Sequence, residues 1–288
     1  MKIQWYPGHM TKAMRAMQED IKLVDLIIEI TDARVPLSGR NPDLNELGRQ
    51  KARIVILNKT DLADPERTKQ WIRYFSEQSI VAAGMNARSA EGKKIIRDAV
   101  AKATAEKVER DRKRGILNRP VRAMVVGIPN SGKSTFINTM AGKASAKTGN
   151  KPGVTRGNQW IRLDKQLELL DTPGVLWPKF EDEMVGTRLA WIGSVKDDII
   201  NQTELATELI GFLQESYPDA FLQRYQIPFG DTVYETLDQI AVKRGCVKKG
   251  NEPDPEKAAL LLLDDFRSGR LGRMTLELPD DGAAQARS

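Results

Sequence analysis

Val121-Arg122-Ala123-Met124-Val125-Val126 runs directly into Gly127-Ile128-Pro129-Asn130-Ser131-Gly132-Lys133-Ser134, and this stretch decides the fold. A short apolar, β-branched run bounded by glycine reads as a buried strand. The turn after it matches G-x-x-x-x-G-K-[ST] at every fixed position, and an apolar helical pattern follows. In that context the pattern cradles phosphates. Its glycines let backbone N–H groups wrap the oxygens, Lys133 reaches the outer phosphates, and the Ser134 hydroxyl ligates magnesium. A second motif, Asn58-Lys59-Thr60-Asp61, ends an earlier apolar run. A carboxylate at Asp61 can accept both N1–H and the 2-amino group of guanine. Adenine lacks that pair and would leave the carboxylate unpaired in a dry pocket. Guanine-nucleotide switches usually place the phosphate loop first and the base reader second. Here the order is reversed, so both halves of a GTP site are present but the chain enters the fold at a different point.

Working outward, Leu23 to Ile30, Arg53 to Leu57, Ser79 to Ala83, Gln159 to Leu163 and Leu167 to Leu170 read as further strands. Asp64-Pro65-Glu66 opens a helix: Asp caps it, Pro takes the first turn and Glu suits the dipole. Residues 91–113 read as a basic helix. Strands alternating with helices predict an α/β fold with a mostly parallel sheet, whose ligands bind outside the carboxyl ends of the strands. After about residue 180 the pattern changes. Segments 182–193, 203–215, 231–243 and 254–268 have helical periodicity and few strand signals. The expected organisation is a circularly permuted P-loop domain over 1–180, a smaller all-α domain over 181–279, and a disordered polar tail over 280–288.

Other residues near the two motifs suit the same chemistry. The phosphates would lie along Asn130, Ser131, Gly132, Lys133, Ser134 and Thr135. Asp171-Thr172-Pro173-Gly174 follows a strand, where Asp171 would hold magnesium through water and the Gly174 amide would sense the γ-phosphate. Thr155, in the Gly-, Lys- and Thr-rich loop 143–157, is the expected switch threonine closing over magnesium. Ser89-Ala90 offers a backbone contact to the guanine oxygen, or is an ordinary loop. Asp32-Ala33-Arg34 ends the first strand and faces the site edge, where it stabilises either the entry loop or a switch.

Composition bounds the setting. The 288 residues, 40% hydrophobic and 29% charged, have the composition of a globular protein; the formal charge of +6 suits a polyanionic partner, although many basic proteins bind none. One cysteine, Cys246, forms no internal disulfide and fits a reducing compartment. Met1 to Pro7 contains no apolar signal run, and Ala258 to Leu263 is too short to span a bilayer, so a cytoplasmic monomer without a membrane span is expected. Lys102, Lys107, Arg110, Arg112, Lys113, Arg114, Arg119 and Arg122 form one basic cluster. Lys243, Arg244, Lys248, Lys249, Arg267, Arg270 and Arg273 form another. Both suit the phosphate backbone of folded RNA, and equally a solvated face. Aromatics are only 6% of residues, which disfavours stacking on single-stranded bases.

With these residues in view, the chain resembles the YlqF/RbgA group of circularly permuted GTPases that assist assembly of the large ribosomal subunit. The matching residues are Trp5-Tyr6-Pro7-Gly8-His9-Met10, Asp32-Ala33-Arg34-Val35-Pro36, Asn58-Lys59-Thr60-Asp61, Gly127 to Ser134, Pro152-Gly153-Val154-Thr155 and Asp171-Thr172-Pro173-Gly174. The resemblance implies GTP hydrolysis to GDP, a precursor of the large subunit and its ribosomal RNA as partners, and release promoted by ribosome-stimulated hydrolysis. Val175 stands where Ras-type switches place a water-orienting glutamine, and valine cannot hydrogen-bond that water. The resemblance suggests His9, the single histidine, for this service. The permutation should bring residues 1–20 in near the switch. A neutral imidazole can accept a hydrogen bond from water; otherwise His9 packs its segment. Asn130 resembles the asparagine of potassium-activated GTPases, or is a turn residue. Other readings stay open: an RNA-binding placeholder that senses nucleotide without turnover, a GTPase of the small subunit or another RNA, and a P-loop kinase or ATPase, which the Asn-Lys-Thr-Asp motif disfavours.

Overall fold

The computed structural model describes residues 9–89, 91–116, 119–142, 159–174, 176, 180 and 182–279, and for 9–14 and 45 the backbone alone. The described residues of Trp5–Lys179 and of Thr275–Ser288 make one compact unit, and those of Phe180–Met274 another.

The first unit contains α1 (His9–Asp20), β1 (Leu26–Asp32), α2 (Asp43–Leu47), β2 (Ala52–Asn58), α3 (Pro65–Glu77), β3 (Val81–Met85), α4 (Gly92–Lys113), β4 (Val121–Val126), α5 (Lys133–Ala141), β5 (Gln159–Arg162) and β6 (Leu167–Asp171). Its strands form one sheet in the order β3-β2-β1-β4-β6-β5. Every pairing is parallel except the edge pair β5–β6. All seven residues of β1 are buried, as a central parallel strand covered on both faces requires. Alternation along β2 sorts the two faces. Ile54 and Ile56 meet Ile96, Phe136 and Ile137, whereas Val55 and Leu57 meet Trp71 and Phe75.

This topology gives the reversed motif order a physical form. The phosphate-loop strand β4 lies between β6 and β1. In an unpermuted switch the chain leaving β6 would next form the strand on the far side of β4. Here the first strand of the chain takes that place. The fold is therefore a circularly permuted P-loop α/β domain.

The strands differ from the sequence reading at their ends. Ile21–Leu23 is a 3-10 turn with Leu23 exposed, and β1 begins at Leu26, after Asp25 has exchanged hydrogen bonds with the backbone of Arg122. It continues to Asp32 because its register with β2 runs through Asp32↔Asn58. Ser79 has φ 61°, and Ile80 N–H closes α3 on Phe75, so β3 begins at Val81. The helix opened by Asp64 forms as expected, the Asp64 carboxylate accepting from the N–H groups of Glu66 and Arg67.

The second unit is all-helical: α6 (Glu183–Trp191), α7 (Gln202–Ser216), α8 (Pro218–Tyr225), α9 (Val233–Arg244) and α10 (Pro255–Arg267). Helix α10 packs on α7 and α9 through Leu209, Ile240, Leu262, Leu263 and Phe266, all buried. Asn201, Thr232 and Asp254 cap their helices, and Gly245 ends α9 at φ 68°. Helix α8 was not expected; Pro218 at its first turn was the available signal. The helical unit also ends earlier than residue 279. Thr275–Glu277 bond to the α/β unit instead, through contacts that link positions about two hundred residues apart and leave no local pattern. The tail 280–288 lies outside the described residues. Among the described residues no helix is long and apolar enough to cross a membrane.

Candidate functional site

Strands β1, β2, β3, β4 and β6 end side by side at Asp32, Asn58, Met85, Val126 and Asp171. The motifs therefore converge on one edge of the sheet. The phosphate loop leaves β4 and turns into α5 at Gly132, whose φ of 89° no L-residue adopts readily. A Cβ there would lie 2.2 Å from Asn58 Nδ2, so glycine is required for the loop to meet the base-reading motif. Helix α5 then begins at Lys133, and its N-cap, Gly132, has no side chain to cap it.

Asn58 joins three loops. It is buried; its Nδ2 donates to Ser131 O (2.8 Å) and its Oδ1 accepts from Ala87 N–H (2.9 Å). Its carbonyl accepts from Ala33 N–H at 2.7 Å. The Asn-Lys-Thr-Asp motif is thus tied to the phosphate loop, to the turn after β3 and to the turn after β1. Each bond contributes about 1 kcal/mol net, and losing a buried partner costs more. Lys59 has φ 61°, and its ammonium reaches Asp32 Oδ2 at 2.8 Å. Asp61 follows on the exposed side of the turn.

Asp32 is fully buried and saturated. Oδ1 accepts from Arg34 N–H (3.1 Å) and Nε (2.9 Å), and Oδ2 accepts from Arg34 Nη2 (2.8 Å) and Lys59 Nζ (2.8 Å). Burial raises its pKa, but Arg34 and Lys59 together outweigh that and hold it well below the usual carboxylate range.

Asp171 is the opposite case. Among the described residues its Oδ1 has no hydrogen-bond partner; it is buried and lies 3.8 Å from Lys133 Nζ, too far for a hydrogen bond. Burial therefore dominates both groups, pushing Asp171 up and Lys133 down despite their attraction. Next to it, Thr172 Oγ1 donates to Val125 O at 2.8 Å. Gly174 presses on the phosphate loop: a Cβ there would lie 3.0 Å from Pro129 N.

Among the remaining expected residues, Asn130 stands in the loop at φ 60°, and Ser131, Ser134 and Thr135 stand on the loop and the first turn of α5. The turn after β3 brings in a residue that the sequence reading did not name. Ala87, not Ser89, is bonded to Asn58, while Ser89 N–H is donated to Asn86 O within the turn. Its signal was its place two residues beyond the strand end. Ala90, Thr155 and Val175 lie outside the described residues. His9 begins α1, described there by its backbone alone.

A family model described as "50S ribosome-binding GTPase" matches residues 122–220. The chain is 46% identical to Ribosome biogenesis GTPase A of Bacillus cereus over 99% of its own length and 97% of that protein's. Against Ribosome biogenesis GTPase A of Thermotoga maritima it is 32% identical over 97% and 95%. The chain belongs to the ribosome biogenesis GTPase A family. This is the YlqF/RbgA group that the motifs resemble. A crystal structure of GNP-bound YlqF from T. maritima superimposes with TM-score 0.67 and 27% identity, covering 93% of this chain and 99% of that one. The GDP-bound YlqF structure gives 0.68 at 27% identity, covering 93% and 100%.

The basic clusters of this ribosome biogenesis GTPase A family member divide in the structure. In the first, Lys107, Lys113, Arg119 and Arg122 sit beside Asp111, Glu109, Asp25 and Glu168, while Lys102, Arg110, Arg112 and Arg114 are exposed along α4 and its end. In the helical unit, Arg267 grips Asp197 and the carbonyls of Ala190 and Trp191, and Arg270 grips Asp264 and Asp265. Arg244 donates to Arg224 O and lies over the Tyr225 ring. Lys243, Lys248, Lys249 and Arg273 are exposed. Lys243 also lines a cleft of about 580 Å³ with Arg224, Arg244 and Arg270.

Proposed function

We propose that this GTPase hydrolyses GTP on a precursor of the large ribosomal subunit and that hydrolysis promotes its release. The observation that carries the reading is the pair of bonds from Asn58 to Ser131 and Ala87, which unites base reader and phosphate loop despite their reversed order. The relatives' names, Ribosome biogenesis GTPase A, support the ribosomal setting.

In this reading Asn58, Lys59 and Asp61 hold guanine, helped by the turn at Ala87. The phosphate loop from Asn130 to Thr135 and the start of α5 receive the phosphates. Lys133 exchanges its distant partner Asp171 for phosphate oxygens, which offsets its burial. Ser134, Thr155 and Asp171 would hold magnesium, and the buried, unpartnered Asp171 Oδ1 suits a hard cation. Magnesium, when bound, neutralises charge on the phosphates. The Gly174 amide, packed beside the loop, senses the γ-phosphate. His9 accepts a hydrogen bond from the attacking water in place of Val175. Asn130 helps hold potassium, and faster turnover in potassium than in sodium is expected. Lys102, Arg110, Arg112 and Arg114, with Lys243, Lys248, Lys249 and Arg273, meet ribosomal RNA phosphates. The protein works as a cytoplasmic monomer.

Single-turnover hydrolysis by His9→Ala, with and without large-subunit particles, tests the mechanism. The expected result is normal GTP binding with stimulated hydrolysis reduced about 100-fold. A native stimulated rate would refute the role of His9. Absent turnover in the unmodified protein with every ribosomal particle would favour a nucleotide-sensing placeholder. Depletion should accumulate precursors of the large subunit, not the small one.

A further inference from the structure

The Asp32-Ala33-Arg34 turn has no place in the chemistry above, yet it is heavily tied. Arg34 is only 2% exposed and spends its backbone N–H, Nε and Nη2 on Asp32. The remaining acceptor site of Asp32 goes to Lys59 Nζ. Behind the turn lies the segment that follows the helical unit. Leu276 N–H donates to Arg34 O at 2.8 Å, and Thr275 Oγ1 approaches Ala33 O at 3.5 Å. Glu277 accepts from Leu37 N–H, from Ser38 N–H at 2.9 Å and from Ser38 Oγ at 2.6 Å. The same segment is bound to α3: Arg67 Nη1 donates to Thr275 O at 2.7 Å, and Trp71 Nε1 to Glu277 O at 3.1 Å. Asp64 N–H, at the end of the base-reading turn, reaches Thr275 Oγ1 at 3.2 Å.

We propose that Asp32 and Arg34 are positioning residues for the guanine reader, and that Thr275–Glu277 is the buttress that holds them. The inference rests on the reading of Lys59 and Asp61 as the base-holding residues. Asp32 fixes the Lys59 ammonium at one edge of the base site, so the aliphatic stem of Lys59 is laid out before guanine arrives. Arg34 keeps Asp32 ionised and oriented. Glu277 and Thr275 close the turn from behind, bridging the loop after β1 to the start of α3. The ordering cost of Lys59 is met in folding and not in binding, which raises affinity for the base without any new contact to it.

The test compares labelled GDP with inorganic tripolyphosphate as a displacing ligand, on full-length protein. Asp32→Asn and Arg34→Lys should each weaken GDP about tenfold and leave tripolyphosphate unchanged, because the phosphate loop is untouched. Glu277→Gln, which leaves Asp32 and Arg34 in place, should weaken GDP about threefold with the same selectivity. Unchanged GDP affinity in all three, or equal loss of both ligands, would overturn the proposal. If Asp32→Asn does not fold, Arg34→Lys and Glu277→Gln carry the same comparison. Asp61→Asn separates the underlying reading. If it fails to shift preference from GDP to xanthosine diphosphate, the base-reader assignment is at fault. If it shifts preference and the three variants do nothing, only the positioning role is lost.

Discussion

Asp32 and Asp171 end two strands of one sheet, both are buried, and they are held in opposite ways. Asp32 has four hydrogen bonds and two cations, and its pKa is driven down. Asp171 has an oxygen with no partner and a lysine at 3.8 Å, and its pKa is driven up. The base-reading half of the site is completed by protein atoms alone. The half around the phosphate loop is left electrostatically open, with a buried carboxylate and a buried ammonium 3.8 Å apart. Burial by itself therefore does not set the charge state of a carboxylate; the partners that meet it do.

That contrast can be broken in several ways. The largest effect is expected from Lys133→Ala, which should lower single-turnover GTP hydrolysis about 1000-fold, measured by quench and phosphate release. A small loss would mean that the open half is not the reactive half. Asp32→Asn should cost about 3 kcal/mol of stability in urea unfolding, since it strands Arg34 as a buried charge and Lys59 as a half-buried one. Asp61→Asn should shift preference from GDP to xanthosine diphosphate on the order of 100-fold, read by competition binding. Asp171→Asn should lower GTP affinity about tenfold in magnesium and leave binding in a chelator unchanged. Its stability should hold or rise slightly, because a poorly compensated buried charge is removed.

The pH dependence sharpens the same comparison. Asp32 has a folded-state pKa below its ordinary 3.8, so its contribution is present above that value and is lost as pH falls through and below it. Between about pH 5 and pH 3, the stability gap between the unmodified protein and Asp32→Asn should narrow. Asp171 has the opposite sign: its folded-state pKa is raised, so its ionisation costs stability as pH rises above 3.8. A gap for Asp32→Asn that widens in acid would show that the carboxylate is not held ionised by Arg34 and Lys59.

Much of this site was legible from residue order. The phosphate loop, the Asn-Lys-Thr-Asp turn and Asp171 each sit at the end of an apolar run, so short-range pattern located both the strand and the functional turn. Strand β3 was placed two residues early, at Ser79 to Ala83 instead of Val81–Met85. Ile80 looks like a strand residue, yet it closes α3, and the strand end moves to Met85. The basic clusters were read by charge alone, and charge cannot separate Arg267, locked on Asp197 and two carbonyls, from exposed Lys248. Asp32-Ala33-Arg34 was read at the end of the first strand, where Asp32 closes β1, but its partner Lys59 and its backing by Thr275–Glu277 have no signature in local spacing.

By itself, the sequence determined that both halves of a guanine-nucleotide site exist, that they occur in reversed order, and that helices follow. Those properties depend on residues within a few positions of one another. Tertiary structure alone decided that Asn58 would join Ser131 to Ala87, that Asp32 would be satisfied while Asp171 would not, and that the segment after the helical unit would return to brace β1. Each of these depends on which strand ends lie side by side, and that is set by burying both faces of a six-stranded sheet.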